Sequence, residues 1–159
     1  MAQLDLKGGA DRNATKIARG TPQFNDDGIS VKGCSYIYAP KGQAGEYAPL
    51  AANPYRGCST GCAYCYVPLV TKQERKDFDA AATPRANYLA LLRRDAQKYE
   101  TLGSREQVFF SFTTDVYNPS DISLTRPSLE IIKEHGLGIC VLTKGGTREF
   151  HGTGYWYKR

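Results

Sequence analysis

The sequence predicts an α/β protein built on a parallel sheet. Two observations carry that reading. Short, nearly continuous apolar runs alternate with helical patterns, and each run is followed at once by a polar loop. Strands buried on both faces read as unbroken apolar segments, and strands alternating with helices imply right-handed crossover connections.

Residues 1–28 are rich in Gly, Asp, Asn and Lys without a sustained period, and read as a loose extension. Ile29 to Tyr38 is rich in β-branched and aromatic residues, which predicts one or two short strands with Cys34 inside one of them. Pro40-Lys41-Gly42-Gln43-Ala44-Gly45 is turn-prone, and Tyr47 to Tyr55 leads into a loop holding Cys58, Cys62 and Cys65.

Beyond that loop, Tyr88, Leu89, Leu92, Ala96 and Tyr99 recur at helical spacing. Thr83 suits the N-cap of such a helix, Pro84 its first position and Gly103 its end. Arg85, Arg93, Arg94 and Lys98 fall mostly between the apolar positions. They are most simply a solvated face, with a nucleic-acid contact as the alternative.

Val108-Phe109-Phe110-Ser111-Phe112 predicts a strand buried on both faces, followed by the polar segment Thr113 to Ser120. Arg126 to His135 predicts a second helix, with Leu129, Ile131 and Ile132 apolar and Gly136 as its stop. Gly138 to Leu142 predicts another buried strand, which would make Cys140 a small buried hydrophobe. In parallel sheets ligands sit beyond the carboxyl ends of the strands. The cysteine loop, Thr113–Asp115 and Thr143–Lys144 are all expected at that edge.

Composition sets outer limits. The chain has 159 residues, 41% hydrophobic and 23% charged, as expected of one globular domain. The net charge of +5 is spread along the chain, compatible with nucleic acid without arguing for it. No apolar run is long enough to span a bilayer, and Met1 to Lys7 lacks the apolar segment of a secretory signal. The expectation is a cytoplasmic protein with no membrane partner.

The most specific feature is Asn53-Pro54-Tyr55-Arg56-Gly57-Cys58-Ser59-Thr60-Gly61-Cys62-Ala63-Tyr64-Cys65-Tyr66, a C-x₃-C-x₂-C spacing. Three thiolates on one tight loop can cap three irons of a cubane cluster and leave the fourth iron open to ligands. Gly57 and Gly61 let the loop fold closely. Structural zinc is the competing reading. It calls for four protein ligands, usually as two separated pairs, and no second Cys or His pair exists here.

This motif resembles the radical S-adenosylmethionine (SAM) superfamily, including Tyr64 as the aromatic residue before the third cysteine. Glu46-Tyr47-Ala48-Pro49-Leu50, Asn53 to Tyr66, Thr114-Asp115-Val116-Tyr117-Asn118-Pro119, Leu124-Thr125-Arg126 and Val141-Leu142-Thr143-Lys144 look like the spore photoproduct lyase-like branch, also called DNA repair photolyase-like. The likeness spans about residues 45–147.

The resemblance implies a partial TIM-type barrel of βα units, about three of which are present. It divides the chain into an N-terminal extension with short strands (1–45), an incomplete radical SAM core (46–147) and an atypical C-terminal tail (148–159). It implies that Cys58, Cys62 and Cys65 ligate a [4Fe–4S] cluster and that SAM binds the open iron. Tyr64 would support the adenine, largely through its backbone. Thr114 would offer a hydroxyl near SAM, Asp115 would take a hydroxyl or amino contact, and Lys144 would face the carboxylate. A solvated loop lysine is the plain alternative for Lys144. The implied chemistry is one-electron reduction of SAM to a 5′-deoxyadenosyl radical, with a flavodoxin- or ferredoxin-type electron donor.

Two departures stand beside the likeness. True spore photoproduct lyases keep a hydrogen-donating cysteine just before the Thr–Asp pair. Here Phe109 to Asp115 contains no thiol. The tail Phe150 to Arg159 lacks the helical period expected after Lys144, and reads as a truncation or a shifted frame. The expected function is a radical SAM enzyme on a DNA-related substrate. A radical SAM enzyme for another substrate and an inactive iron–sulfur-binding fragment are the alternatives.

Overall fold

The structure, a computed structural model, describes Val31 and residues 33–145. A 3₁₀ turn at Gly42–Glu46 leads into β1 (Leu50–Ala52) and β2 (Tyr55–Arg56). Helices α1 (Val67–Thr71) and α2 (Arg75–Ala80) follow the cysteine loop, then β3 (Thr83–Pro84) and α3 (Tyr88–Thr101). The described chain continues through β4 (Gln107–Phe110), α4 (Thr125–Glu134) and β5 (Gly138–Val141).

The architecture is α/β, with a parallel three-stranded sheet in the order β1-β4-β5 and, among the described residues, four α-helices. Its register sets Ala51 beside Phe109 and Phe109 beside Cys140. Side chains alternate across a strand, so the sheet sorts its residues onto two faces. Leu50, Ala52, Val108 and Phe110 pack with Tyr88, Leu92, Ala96 and Tyr99 of α3 and with Leu129, Ile131 and Ile132 of α4. Each large apolar side chain buried there contributes about 1.5–3 kcal/mol. Ala51, Phe109 and Ala48 make a smaller cluster on the opposite face, with Phe112 stacked 4.3 Å from Phe109.

The predicted strand at 108–112 is the central strand β4, and the helix predicted at 126–135 is α4. Gly136 ends α4 with a φ of 69°, a left-handed conformation that costs glycine little. Elsewhere the expectations need correction. Thr83 and Pro84 neither cap nor start α3. They pair antiparallel with Arg56 and Tyr55, closing the base of the 57–82 excursion. Asn87, with φ at 55°, precedes α3 instead. Gly138 to Val141 is only half-buried, because among the described residues β5 is an edge strand, and Leu142 beyond it is 65% exposed. Cys140 is accordingly half-buried on the minor face of the sheet.

Of the strands expected over 29–38, the segment beyond residue 32 shows only a single antiparallel bridge from Tyr38 to Ala51. Cys34 lies in a turn, its amide donating to the Val31 carbonyl at 3.0 Å. Ile29, Ser30 and Lys32 lie outside the described residues, as do most of the extension and the atypical tail at 148–159. No helix among the described residues is long and apolar enough to cross a membrane.

Candidate functional site

At the carboxyl edge of the parallel sheet the chain forms a cleft of about 510 Å³. Three loops meet there, the cysteine loop after β2, Ser111–Asp115 after β4 and Leu142–Lys144 after β5, and Gln43, Ala44 and Tyr47 of the 3₁₀ turn region add to the lining. Cys58, Cys62, Cys65, Tyr64, Thr114, Asp115 and Lys144 all belong to this lining. The predicted site residues thus meet in one place, although residues 58 and 144 are far apart in sequence.

The shape of the cysteine loop follows from its glycines and its anchors. Gly57 has a φ of 73°, and a Cβ on it would lie 2.3 Å from the Ala81 carbonyl oxygen. Only glycine fits there, since conformation and space both exclude a side chain. Next to it, the Cys58 amide donates to the Phe78 carbonyl at 2.9 Å, fastening the loop to α2. The Cys65 amide donates to the Cys62 carbonyl at 3.0 Å and makes a tight turn between the last two thiols. Arg75 donates from one guanidinium nitrogen to the Cys62 carbonyl and from another to Asp79. The Arg75 contact is absent from any motif, and sequence reading missed it.

The loop after β4 is fixed as firmly. Thr114 is 4% exposed, and its hydroxyl donates to the Gly57 carbonyl at 2.9 Å, with the Tyr55 carbonyl at 3.4 Å. The hydroxyl expected near a ligand therefore holds the backbone of the cysteine loop. Ser111 Oγ donates to the Thr114 carbonyl and accepts its amide at 3.2 Å. Asn118, 1% exposed, accepts from Ser59 Oγ at 3.2 Å and donates to the carbonyls of Asp115 and Asp121. Asn118 is a second residue that the spacing alone did not single out; its burial and its six side-chain hydrogen bonds reveal it.

Asp115 joins all three loops. Its amide donates to Cys58 Sγ at 3.4 Å. Its carboxylate accepts from Thr143 Oγ1 at 2.7 Å, from the Lys144 amide at 2.6 Å and from the Tyr117 amide at 2.9 Å. Lys144 sends its ammonium over the Tyr64 ring, 5.1 Å from the centroid, a cation–π approach across the cleft. The ammonium pKa is shifted upward, first by the Tyr64 side chain and more weakly by Cys62 and Asp115.

The three thiols are free and half-buried. Among the described residues no three Cys, His, Asp or Glu side chains converge closely enough to hold one metal ion. Cys58, Cys62 and Cys65 come from one loop and all line the cleft, and a set of three thiols is the donor chemistry that three irons of a cubane would take. The mouth is aromatic and apolar: Tyr47, Tyr64 and Tyr66 are 73%, 75% and 56% exposed. Comparison of the chain with protein-family models, with curated proteins and with solved structures finds no match in any of the three.

Proposed function

We propose that the chain is a radical SAM protein of the spore photoproduct lyase-like kind, in which Cys58, Cys62 and Cys65 hold a [4Fe–4S] cluster and the cleft takes SAM. The observation that carries the reading is the meeting of a C-x₃-C-x₂-C loop with two polar strand-end loops in one cleft. In this reading β1, β4 and β5 are strands of a partial TIM-type barrel, and the minor face bearing Phe109 and Cys140 looks toward its interior.

When bound, the cluster would supply the electron that splits SAM to methionine and a 5′-deoxyadenosyl radical. The residues of the chain supply binding and exclusion of water. Lys144 offers a cation to the SAM carboxylate, an anion that needs a partner in a partly desolvated cleft. Tyr64 flanks the adenine, and Asp115 keeps the Lys144 loop in place. A volume near 510 Å³ lies within the range of small-molecule sites.

The exposed rings of Tyr47, Tyr64 and Tyr66 support a planar, base-like substrate, since aromatic side chains stack on bases of any sequence. A DNA-related substrate, a flavodoxin- or ferredoxin-type donor and a reducing, cytoplasmic setting complete the proposal. The absence of a thiol between Phe109 and Asp115 argues against a cysteine hydrogen donor in that loop.

Anaerobic iron–sulfur reconstitution, followed by a dithionite-driven assay for 5′-deoxyadenosine, tests the reading. Product from the wild type and none from Cys62→Ala is the expected result. A cluster without product would favour an iron–sulfur-binding fragment, and no iron in folded protein would sink the assignment. DNA affinity that falls steeply with salt separates a nucleic-acid substrate from a peptide or metabolite.

A further inference from the structure

We infer that Arg75 helps set the reduction potential of the cluster: tied to the backbone of the cysteine loop, its guanidinium keeps a positive charge beside the thiolates and favours the reduced state. The inference rests on the radical SAM reading above and adds to it a residue outside the cysteine motif.

Helix α2 is fastened to the cysteine loop at two points. The Phe78 carbonyl takes the Cys58 amide at 2.9 Å, and the Arg75 guanidinium donates to the Cys62 carbonyl. Phe78 is 3% exposed, which anchors α2 beneath the loop. One helical turn on, Asp79 takes Arg75 Nε and holds the guanidinium in place. The Arg75 pKa is shifted upward, first by the Asp79 hydrogen bond and more weakly by Cys65 and Cys62. Lys144 also acts on Cys62, but its ammonium lies over the Tyr64 ring and faces the SAM carboxylate in the reading above.

The potential of an iron–sulfur cluster follows the charge, hydrogen bonding and solvent exposure around it. Reduction brings one electron from the flavodoxin- or ferredoxin-type donor and no proton, so the site gains one negative charge. A neighbouring cation favours that form. The Arg75 side chain is 41% exposed and that of Asp79 27%, so water and the carboxylate weaken the effect. It is nevertheless the guanidinium that touches the cysteine loop.

The test is a redox titration of anaerobically reconstituted full-length protein, read by electron paramagnetic resonance, with iron content and urea midpoint measured on each variant. Arg75→Gln is expected to lower the reduced-to-oxidised ratio at a fixed potential about fivefold, about 40 mV for a one-electron couple. Arg75→Lys keeps the charge and loses the forked bonding. Its urea midpoint should fall with that of Arg75→Gln, while its potential stays near wild type. Asp79→Asn removes the counter-charge and is expected to hold or raise the potential. An unchanged potential in Arg75→Gln overturns the inference. So does an equal fall in Arg75→Lys, or any fall in Asp79→Asn, since a loosened loop would then explain the shift. Should Arg75→Gln take up no cluster, the Asp79→Asn potential decides in the same way. Each of these outcomes leaves the radical SAM reading intact, whereas folded wild-type protein that takes up no iron overturns both.

Discussion

The Asp115 carboxylate accepts the Lys144 backbone amide at 2.6 Å, so the loop after β4 holds the loop after β5 across the carboxyl edge of the sheet. The same side chain takes the Thr143 hydroxyl at 2.7 Å. Among the described residues, Leu142–Lys144 is otherwise held by the Leu142 amide on the Phe110 carbonyl at 3.4 Å and by the Lys144 ammonium over the Tyr64 ring. Asp115→Ala is expected to lower stability by about 1–2 kcal/mol, the range for bonds to a charged, partly exposed acceptor. It should also speed amide hydrogen exchange at Thr143–Lys144. Urea unfolding and exchange measured together check this, and unchanged exchange at those amides would count against the clamp.

The five thiols divide by position. Cys58, Cys62 and Cys65 line the cleft, whereas Cys34 and Cys140 do not. Alanine at any of the first three is expected to abolish the broad iron–sulfur absorbance of reconstituted protein. Alanine at Cys34 or Cys140 should leave iron and sulfide content at the wild-type level. Iron retained in Cys58→Ala, Cys62→Ala and Cys65→Ala alike would place the metal elsewhere.

Gly57 and Gly61 share left-handed backbone but not surroundings. A Cβ at Gly57 meets the Ala81 carbonyl oxygen at 2.3 Å, whereas one at Gly61 meets nothing within 4 Å. Gly61→Ala is therefore expected to cost only the conformational penalty, about 1–2 kcal/mol. Gly57→Ala adds a backbone clash that must pull the loop off α2, so its cost should exceed that of Gly61→Ala by at least about 1 kcal/mol. Equal melting temperatures for the two variants would contradict the packing described here.

Much of this arrangement is legible in the sequence because the signals are periodic or chemically rare. The run Val108–Phe110 and the spacing of Tyr88, Leu92, Ala96 and Tyr99 announce a buried strand and an amphipathic helix, and the cysteine spacing marks a tight loop whose three thiols all line the cleft. What escaped was decided by partners distant in sequence. Helices α1 and α2 have five and six residues, too few for a period to show. Thr83-Pro84 carries a helix-start signal, but pairing with Tyr55 and Arg56 takes it into a ribbon. β5 is as apolar as β4, yet only the neighbours on both sides of β4 bury it. Within the site, the role of Thr114 depends on which carbonyl its hydroxyl meets, and no pattern of residue types encodes that.

Asp95 lies on the buried side of α3, a place where a carboxylate is rare. One of its oxygens accepts the amides of Ser35, Tyr36 and Ile37 at 2.9, 2.8 and 3.3 Å, and the other meets Arg94 at 2.7 Å. The carboxylate thus does for the 33–37 segment what a strand partner would. Asp95→Ala leaves these buried amides unpaired and is expected to cost about 3 kcal/mol. Protease cleavage near Ser35 should accelerate with it. A loss below about 1 kcal/mol would mean that water replaces the carboxylate at little cost.

Cys34, in the same segment, gives the fold a predictable response to alkali. Its thiol pKa is pushed up from 9.0 to about 12, first by burial and then by the nearby Asp95 charge. The fold therefore favours the protonated thiol, whereas the unfolded chain ionises from about pH 9 upward. Between those two values the folded state binds more protons, so this contribution is complete below about pH 9 and is lost as pH rises toward 12. The Tyr38 and Tyr55 phenols are shifted upward from 10.0, also chiefly by burial, and act in the same direction in an overlapping window. Urea midpoints should thus hold steady through neutral pH and fall in the alkaline range, with Cys34→Ala flattening the onset of that fall. Near neutral pH, iodoacetamide should label Cys34 far more slowly in folded than in unfolded protein, because little thiolate is present to react. Fast labelling of folded protein, together with a wild-type-like alkaline transition in Cys34→Ala, would show that the thiol is open to water and that its burial against α3 is not what sets its acidity.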